Sequence, residues 1–163
     1  MQLGPIATDL RVAQWIDHAG EPLATPLRLA DLGDGYRVIF CFQDWCPGCH
    51  SRGFPALQIL HANLVDRGVG FAGIQTVFEG EDANTFDKLR TNQERYSLAI
   101  PFGHDVPASG ERYPTFMEDY RSGGTPWFTV IDPNDTVVYA DFRVDPGRIM
   151  DAVKVDQLAG PTE

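Results

Sequence analysis

Cys46-Pro47-Gly48-Cys49, preceded by Trp45 and by the apolar run Val38-Ile39-Phe40-Cys41-Phe42, constrains this chain more than any other stretch. An unbroken apolar run of that length is what a central strand covered on both faces shows. A cysteine pair directly after it sits at a strand-to-helix corner. In α/β sheets, functional groups collect at the carboxyl ends of strands. The pattern therefore predicts a covered sheet with a dithiol at its rim.

The flanking sequence supplies the rest of such a sheet. Leu10–Ile16 alternates as a strand and Asp17-His18-Ala19-Gly20 reads as its turn, giving an N-terminal hairpin over about residues 8–35. Phe54, Leu57, Leu60 and Leu64 recur at near-helical spacing, and Gly68 marks a stop. Val69–Phe78 reads as a strand. Asp82 is placed to cap a helix from Ala83 toward Tyr96, and Pro101 and Pro107 break up the segment beyond it. A helical piece around Phe116–Tyr120 precedes Gly123-Gly124-Thr125-Pro126. Trp127–Ile131 and Thr136–Phe142 form a hairpin about Asp132-Pro133-Asn134-Asp135, and Asp145-Pro146 starts a last helix. The expected order is a hairpin and then β-α-β-α-β-β-α: a mixed sheet flanked by helices on both faces.

At 163 residues the chain is expected to be one domain, 1–163, with a core over about 36–155. Its 13 basic and 23 acidic residues give a net charge of −10, which argues against nucleic acid and anionic membrane as partners. No window is apolar enough to span a bilayer. Met1-Gln2-Leu3-Gly4-Pro5 lacks the basic start and apolar stretch of a secretory signal. The expected location is cytoplasmic, or periplasmic or secreted if a signal was trimmed. Three cysteines, two of them spaced C-x-x-C, point to redox or metal chemistry rather than to a disulfide framework.

A thiol at a helix start is favoured as thiolate by unpaired N–H groups and the helix dipole, which can bring its pKa from about 8.5 into the range of about 3.5–7.5. Cys46 is then the nucleophile, and Cys49, one turn on, resolves the mixed disulfide. His50 stands at i+4 from Cys46 and is a candidate for tuning its pKa, as is Asp44. Cys41, on the apolar strand, reads as a core residue. Cys-x-x-Cys-His also matches the attachment signature of c-type haem, with Met117 or Met150 as a further ligand. The strand-to-helix corner and the mixed element order weigh against it. A zinc site from Cys46, Cys49, His50 and His61 lacks a second paired motif. No cofactor and no metal are expected.

With Trp45-Cys46-Pro47-Gly48-Cys49 after Val38–Phe42, Glu94-Arg95-Tyr96-Ser97-Leu98 with Pro101 and Asp105, and Gly124-Thr125-Pro126 with Val130-Ile131-Asp132, the chain resembles the thioredoxin fold, and within it the TlpA-like thiol–disulfide oxidoreductases. The resemblance covers about residues 10–155. It implies an antioxidant-type oxidoreductase that exchanges or reduces protein disulfides, with a thiol electron donor; a monomer or weak homodimer is expected. It implies a cis peptide bond before Pro126, with the backbone of Thr125 binding substrate as an added strand and Trp45 beside it. Trp127 would flank the site or simply pack.

The chain also departs from that pattern. Phe40 stands where thioredoxins carry a buried acid, which leaves proton handling to water, Asp44, Glu79 or His50. Pro55 lies one residue later than the family proline, so a loosened first turn is expected. A peroxiredoxin-like peroxidase using Cys46 is the alternative enzyme, though Gln43 occupies the place of its Thr or Ser. A non-catalytic scaffold of the same fold is the alternative outside enzymes.

Overall fold

The computed structural model describes residues 4–154 and Leu158; the expected end of the core at 155 and the first three residues of the N-terminal segment lie outside the described residues. Six strands form one mixed sheet: β1 (Gln14–Ile16), β2 (Arg37–Phe42), β3 (Gly70–Thr76), β4 (Phe102–Asp105), β5 (Trp127–Ile131) and β6 (Val137–Asp141), in the spatial order β1-β4-β3-β2-β5-β6. β2, β3 and β4 run parallel, while β1, β5 and β6 pair antiparallel with their neighbours. Among the described residues four α-helices complete the order: α1 (Phe54–Leu64), α2 (Lys88–Arg95), α3 (Thr115–Tyr120) and α4 (Pro146–Val153).

Every residue of β2 is buried, as its composition requires for a strand covered on both sides. Alternation divides its side chains between two cores. Val38, Phe40 and Phe42 pack with Leu57, Leu60 and Leu64 of α1 and with Ile149 and Val153 of α4. Ile39 and Cys41 pack with Trp15, Leu29, Ala72, Ile74, Phe116 and Trp127. At about 25 cal/mol per Å² of apolar area, these two layers are the main source of stability. α4 begins as its sequence dictates: Asp145 accepts from the Gly147 N–H at 3.0 Å, and Pro146 takes the first turn.

The structure differs from the sequence expectation in three places. The N-terminal hairpin is reduced: β1 is three residues long and its return is a single bridge, Ile16 to Pro22. Asp9 accounts for the shortening, because its carboxylate accepts from the N–H groups of Leu10 and Leu29 and pairs with Arg28. Pro22 has no N–H with which to extend the ladder. β1 pairs instead with β4 at the sheet edge, Trp15 opposite Gly103.

β4 itself lies between Pro101 and Pro107, where the two prolines predict a break. Its polar residues are buried and partnered: His104 Nδ1 meets Gln75 Nε2 at 3.1 Å, and Asp105 binds the start of α3. Finally, the helix expected from Ala83 begins at Lys88, and Asp82 does not cap it. Asn84, fully buried, is drawn into the loop after β2 by hydrogen bonds that a helical position would not allow.

Candidate active site

The dithiol sits where β2 ends and the chain turns into α1. The Cys46 N–H donates to the Gln43 carbonyl at 3.1 Å, closing the turn, and Pro47 and Gly48 are already helical. Cys49–Gly53 is then a π-helical turn, with the Phe54 N–H reaching back to the Cys49 carbonyl. The displaced Pro55 explains this turn. One extra residue stands between the cysteines and the proline, and a single π turn absorbs one residue without breaking the helix. The loosened first turn that the proline spacing predicts takes this form.

Both cysteines are free thiols. The Cys49 N–H donates to Cys46 Sγ at 3.3 Å, so the sulfur accepts from one of the amides that the first turn of the helix leaves without a backbone partner. On its other side Cys46 Sγ faces the carbonyl oxygen of Thr125 at 3.8 Å. The Thr125–Pro126 bond is cis. Cys46 keeps 7 % of its surface open and Cys49 none. Burial pushes the Cys49 thiol well above its ordinary range, and the hydrogen bond with Cys46 adds to the rise. The two sulfurs thus occupy different environments, one at the rim and one beneath it.

Under the pair the floor is aromatic. Phe40 contacts Phe42, Phe54 and Phe128 with ring centroids 5.9, 5.0 and 4.9 Å away. Gly53 is required here, since a Cβ on it would stand 2.6 Å from Phe40 Cζ. Trp45 is 44 % exposed, and Gly80 packs against its indole. Trp127 is buried, donates to Thr129 Oγ1 and meets Phe142 edge-on at 4.9 Å, so it packs rather than offering surface. A groove of about 590 Å³, lined by Phe78, Tyr113, Met117, Arg121, Ser122 and Gly123, opens beside the Thr125 loop.

His50 and Asp44, the candidates for tuning the thiol, are turned elsewhere. His50 Nε2 meets the Asp44 carbonyl, which can only accept, so Nε2 carries the proton; Nδ1 takes the Tyr96 hydroxyl. The ring also stacks near Phe54 and Tyr96. The Asp44 carboxylate accepts from Asn92 Nδ2 at 3.0 Å, with Lys88 Nζ at 3.9 Å. Together they brace the dithiol loop against α2. With Nε2 so used, His50 is not free to ligate a haem iron. Among the described residues no cluster of three or more His, Cys, Asp or Glu is placed to hold a metal.

Three further residues hold the site together, and the sequence assigns none of them this role. Asn84 donates to the carbonyls of Glu79 and Gly80 and accepts from the Asp44 N–H at 2.7 Å, holding the loop that leads to Cys46. Gln43, fully buried, receives the Asn84 amide and the Glu79 N–H on its Oε1. Tyr96 clamps His50 and lies face to face with Phe54, 4.1 Å between centroids. A polar residue next to a C-x-x-C motif is the available signal for Gln43; nothing local marks Asn84.

No family model matches the chain, and the search of curated proteins found no relative. Solved structures do match. A thioredoxin-like superfamily protein is 30% identical, with a TM-score of 0.79 over 94% of this chain and 96% of that one. A thiol-disulfide isomerase from Corynebacterium glutamicum is 28% identical, with a TM-score of 0.78 over 93% and 95%. A thio-disulfide isomerase from Thermus thermophilus, 21% identical, shares the fold with a TM-score of 0.67 over 98% and 99%. The chain belongs to the thioredoxin-like superfamily, and its fold is that of thiol–disulfide oxidoreductases. No helix among the described residues is long and apolar enough to cross a membrane.

Proposed function

We propose that this protein is a thiol–disulfide oxidoreductase that reduces or exchanges protein disulfides through Cys46 and Cys49. The observation that carries the reading is the placement of Cys46 Sγ between the Cys49 N–H and the Thr125 carbonyl. A thiolate there is held by an amide donor and lies next to the Thr125 backbone, on which an extended peptide would pair. The name of the Corynebacterium glutamicum relative supports the same class.

The chemistry balances as two transfers. Cys46, as thiolate, attacks one sulfur of a substrate disulfide; that S–S bond breaks, a Cys46–substrate disulfide forms, and the departing substrate thiolate takes up a proton. Cys49 then loses its proton and attacks Cys46 Sγ. The second substrate thiolate leaves and is protonated, and the protein is left with a Cys46–Cys49 disulfide. Two electrons have passed to the substrate, and an external dithiol returns them. Burial and the hydrogen bond with Cys46 raise the Cys49 pKa, which favours its protonated form in the reduced protein.

Gln43 disfavours the peroxidase alternative, because an amide supplies no hydroxyl to a peroxide and its Oε1 is taken by Glu79 and Asn84. The test is turnover of insulin disulfides with a dithiol donor. Cys46→Ser is expected to abolish it, and activity that survives this change overturns the assignment.

A further inference from the structure

The geometry points to Arg52 as a specificity residue that receives a carboxylate flanking the attacked cystine of the substrate. The inference rests on the disulfide-exchange reading and names the class of disulfide that the site prefers. Arg52 is exposed, in the π turn one helical turn beyond Gly48. Its side chain runs back along the helix, as long helical side chains do. A Cβ on Gly48 would stand 3.3 Å from Arg52 Nη2 and 3.5 Å from Pro126 Cδ. The guanidinium therefore lies over the backbone between the two cysteines, on the side of the Thr125–Pro126 loop where a substrate strand would pass. Gly48 makes room for it.

The charge at that point is unspent. Arg11, Arg28, Arg37 and Arg90 each sit on a carboxylate. Among the described residues no carboxylate, hydrogen bond or ring holds Arg52. The chain carries a net charge of −10, so its overall field repels an anionic substrate and one cation beside the sulfurs acts against that field. Across the site the sign reverses: exposed Glu79, Glu81 and Asp82 flank Gly80, on which a Cβ would stand 3.1 Å from Trp45 Nε1. The site is negative beyond Trp45 and positive over Gly48. A substrate with an acidic residue beside its cystine fits one way round, and a planar guanidinium can grip that carboxylate with two parallel hydrogen bonds.

A guanidinium placed there could instead act only on the Cys46 thiolate, which would change all substrates equally. Ratios between substrates separate the two. Three peptide disulfides of equal length, with Asp, Asn or Lys beside the cystine, are compared by kcat/KM in the wild-type protein and in R52Q and R52E. The wild-type protein is expected to favour Asp over Asn by about two- to fivefold at low ionic strength, the range of a single exposed ion pair. The preference should shrink in about 1 M salt.

In R52Q the Asp-to-Asn ratio should fall to about one, and in R52E the Lys peptide should become the best substrate. A wild-type ratio of one, or a ratio unchanged in R52Q, overturns the inference while leaving disulfide exchange standing. No turnover of any peptide overturns both. Glutathione disulfide serves as a fourth substrate: turnover as fast as the Asp peptide, with the same dependence on Arg52, assigns the carboxylate to a small-molecule disulfide, and slower turnover assigns it to a polypeptide.

Discussion

On one face of β2, Val38, Phe40 and Phe42 point toward α1 and meet carbon throughout; on the other, Ile39 and Cys41 begin an apolar row that gives way to polar groups at the rim. There stand Gln43, just past β2, and the last residues of β3 and β4, Thr76 and Asp105, all buried, and Asp105 Oδ1 and Oδ2 accept from the Thr115 N–H, the Thr115 hydroxyl and the Phe116 N–H. The aromatic face holds the floor of the dithiol, and the polar face ties down the loops around it. The difference separates aromatic packing from buried charge. Phe40 stands on the α1 face among aromatic rings, and Asp105, the buried carboxyl among the described residues, lies on the opposite face, where it starts α3. Burial raises the Asp105 pKa, although its three donors oppose that rise.

The contrast breaks first at Phe40. Phe40→Ala leaves a cavity among Phe42, Phe54 and Phe128 and is expected to cost about 3–5 kcal/mol, measured by denaturant unfolding. A loss below about 1 kcal/mol would mean that the aromatic floor is not a packing unit. On the polar face, Asp105→Ala strands the amides of Thr115 and Phe116 and is expected to cost about 1–3 kcal/mol. Asp105→Asn keeps one accepting oxygen and should lose less. Equal losses for Ala and Asn would show that the hydrogen bonds at α3 contribute nothing.

A third measurement sharpens the comparison through pH, since each face closes one thiol off completely: Cys49 on the α1 side, Cys41 on the other. Burial pushes both thiols up. An unfolded thiol titrates near about 8.5, so above that pH the unfolded chain releases protons that the reduced fold retains, and stability falls as pH rises. The denaturant midpoint of the reduced protein should therefore drop above about pH 8.5. Oxidising Cys46 and Cys49 removes the contribution of Cys49, and Cys41→Ala that of Cys41. A flat profile in the reduced protein would contradict the burial of both thiols.

Legibility in the sequence divides along the same line. The α1 face is legible, because Val38–Phe42 and the Phe54-Leu57-Leu60-Leu64 spacing report burial directly; so are the β5–β6 hairpin and the Asp145-Pro146 start of α4. The dithiol corner is implied by that strand and by the motif. β4 is not legible. Phe102-Gly103-His104-Asp105 looks like a loop because its polarity is satisfied by residues distant in sequence: Gln75 for His104, Thr115 and Phe116 for Asp105. Asn84 hides for the same reason, and its removal from α2 displaces the helix start to Lys88. His50 is legible as a residue near the sulfurs, yet its partners, Tyr96 and the Asp44 carbonyl, are set by tertiary packing.

Trapping the half-reaction tests the exchange chemistry most directly. Cys49→Ser removes the buried thiol that releases the substrate, so incubation with a disulfide-bonded protein should accumulate a covalent adduct. Peptide mass mapping should place it on Cys46, reversible by reductant and absent from Cys46→Ser. An adduct on Cys41, or none at all in Cys49→Ser, would contradict the account.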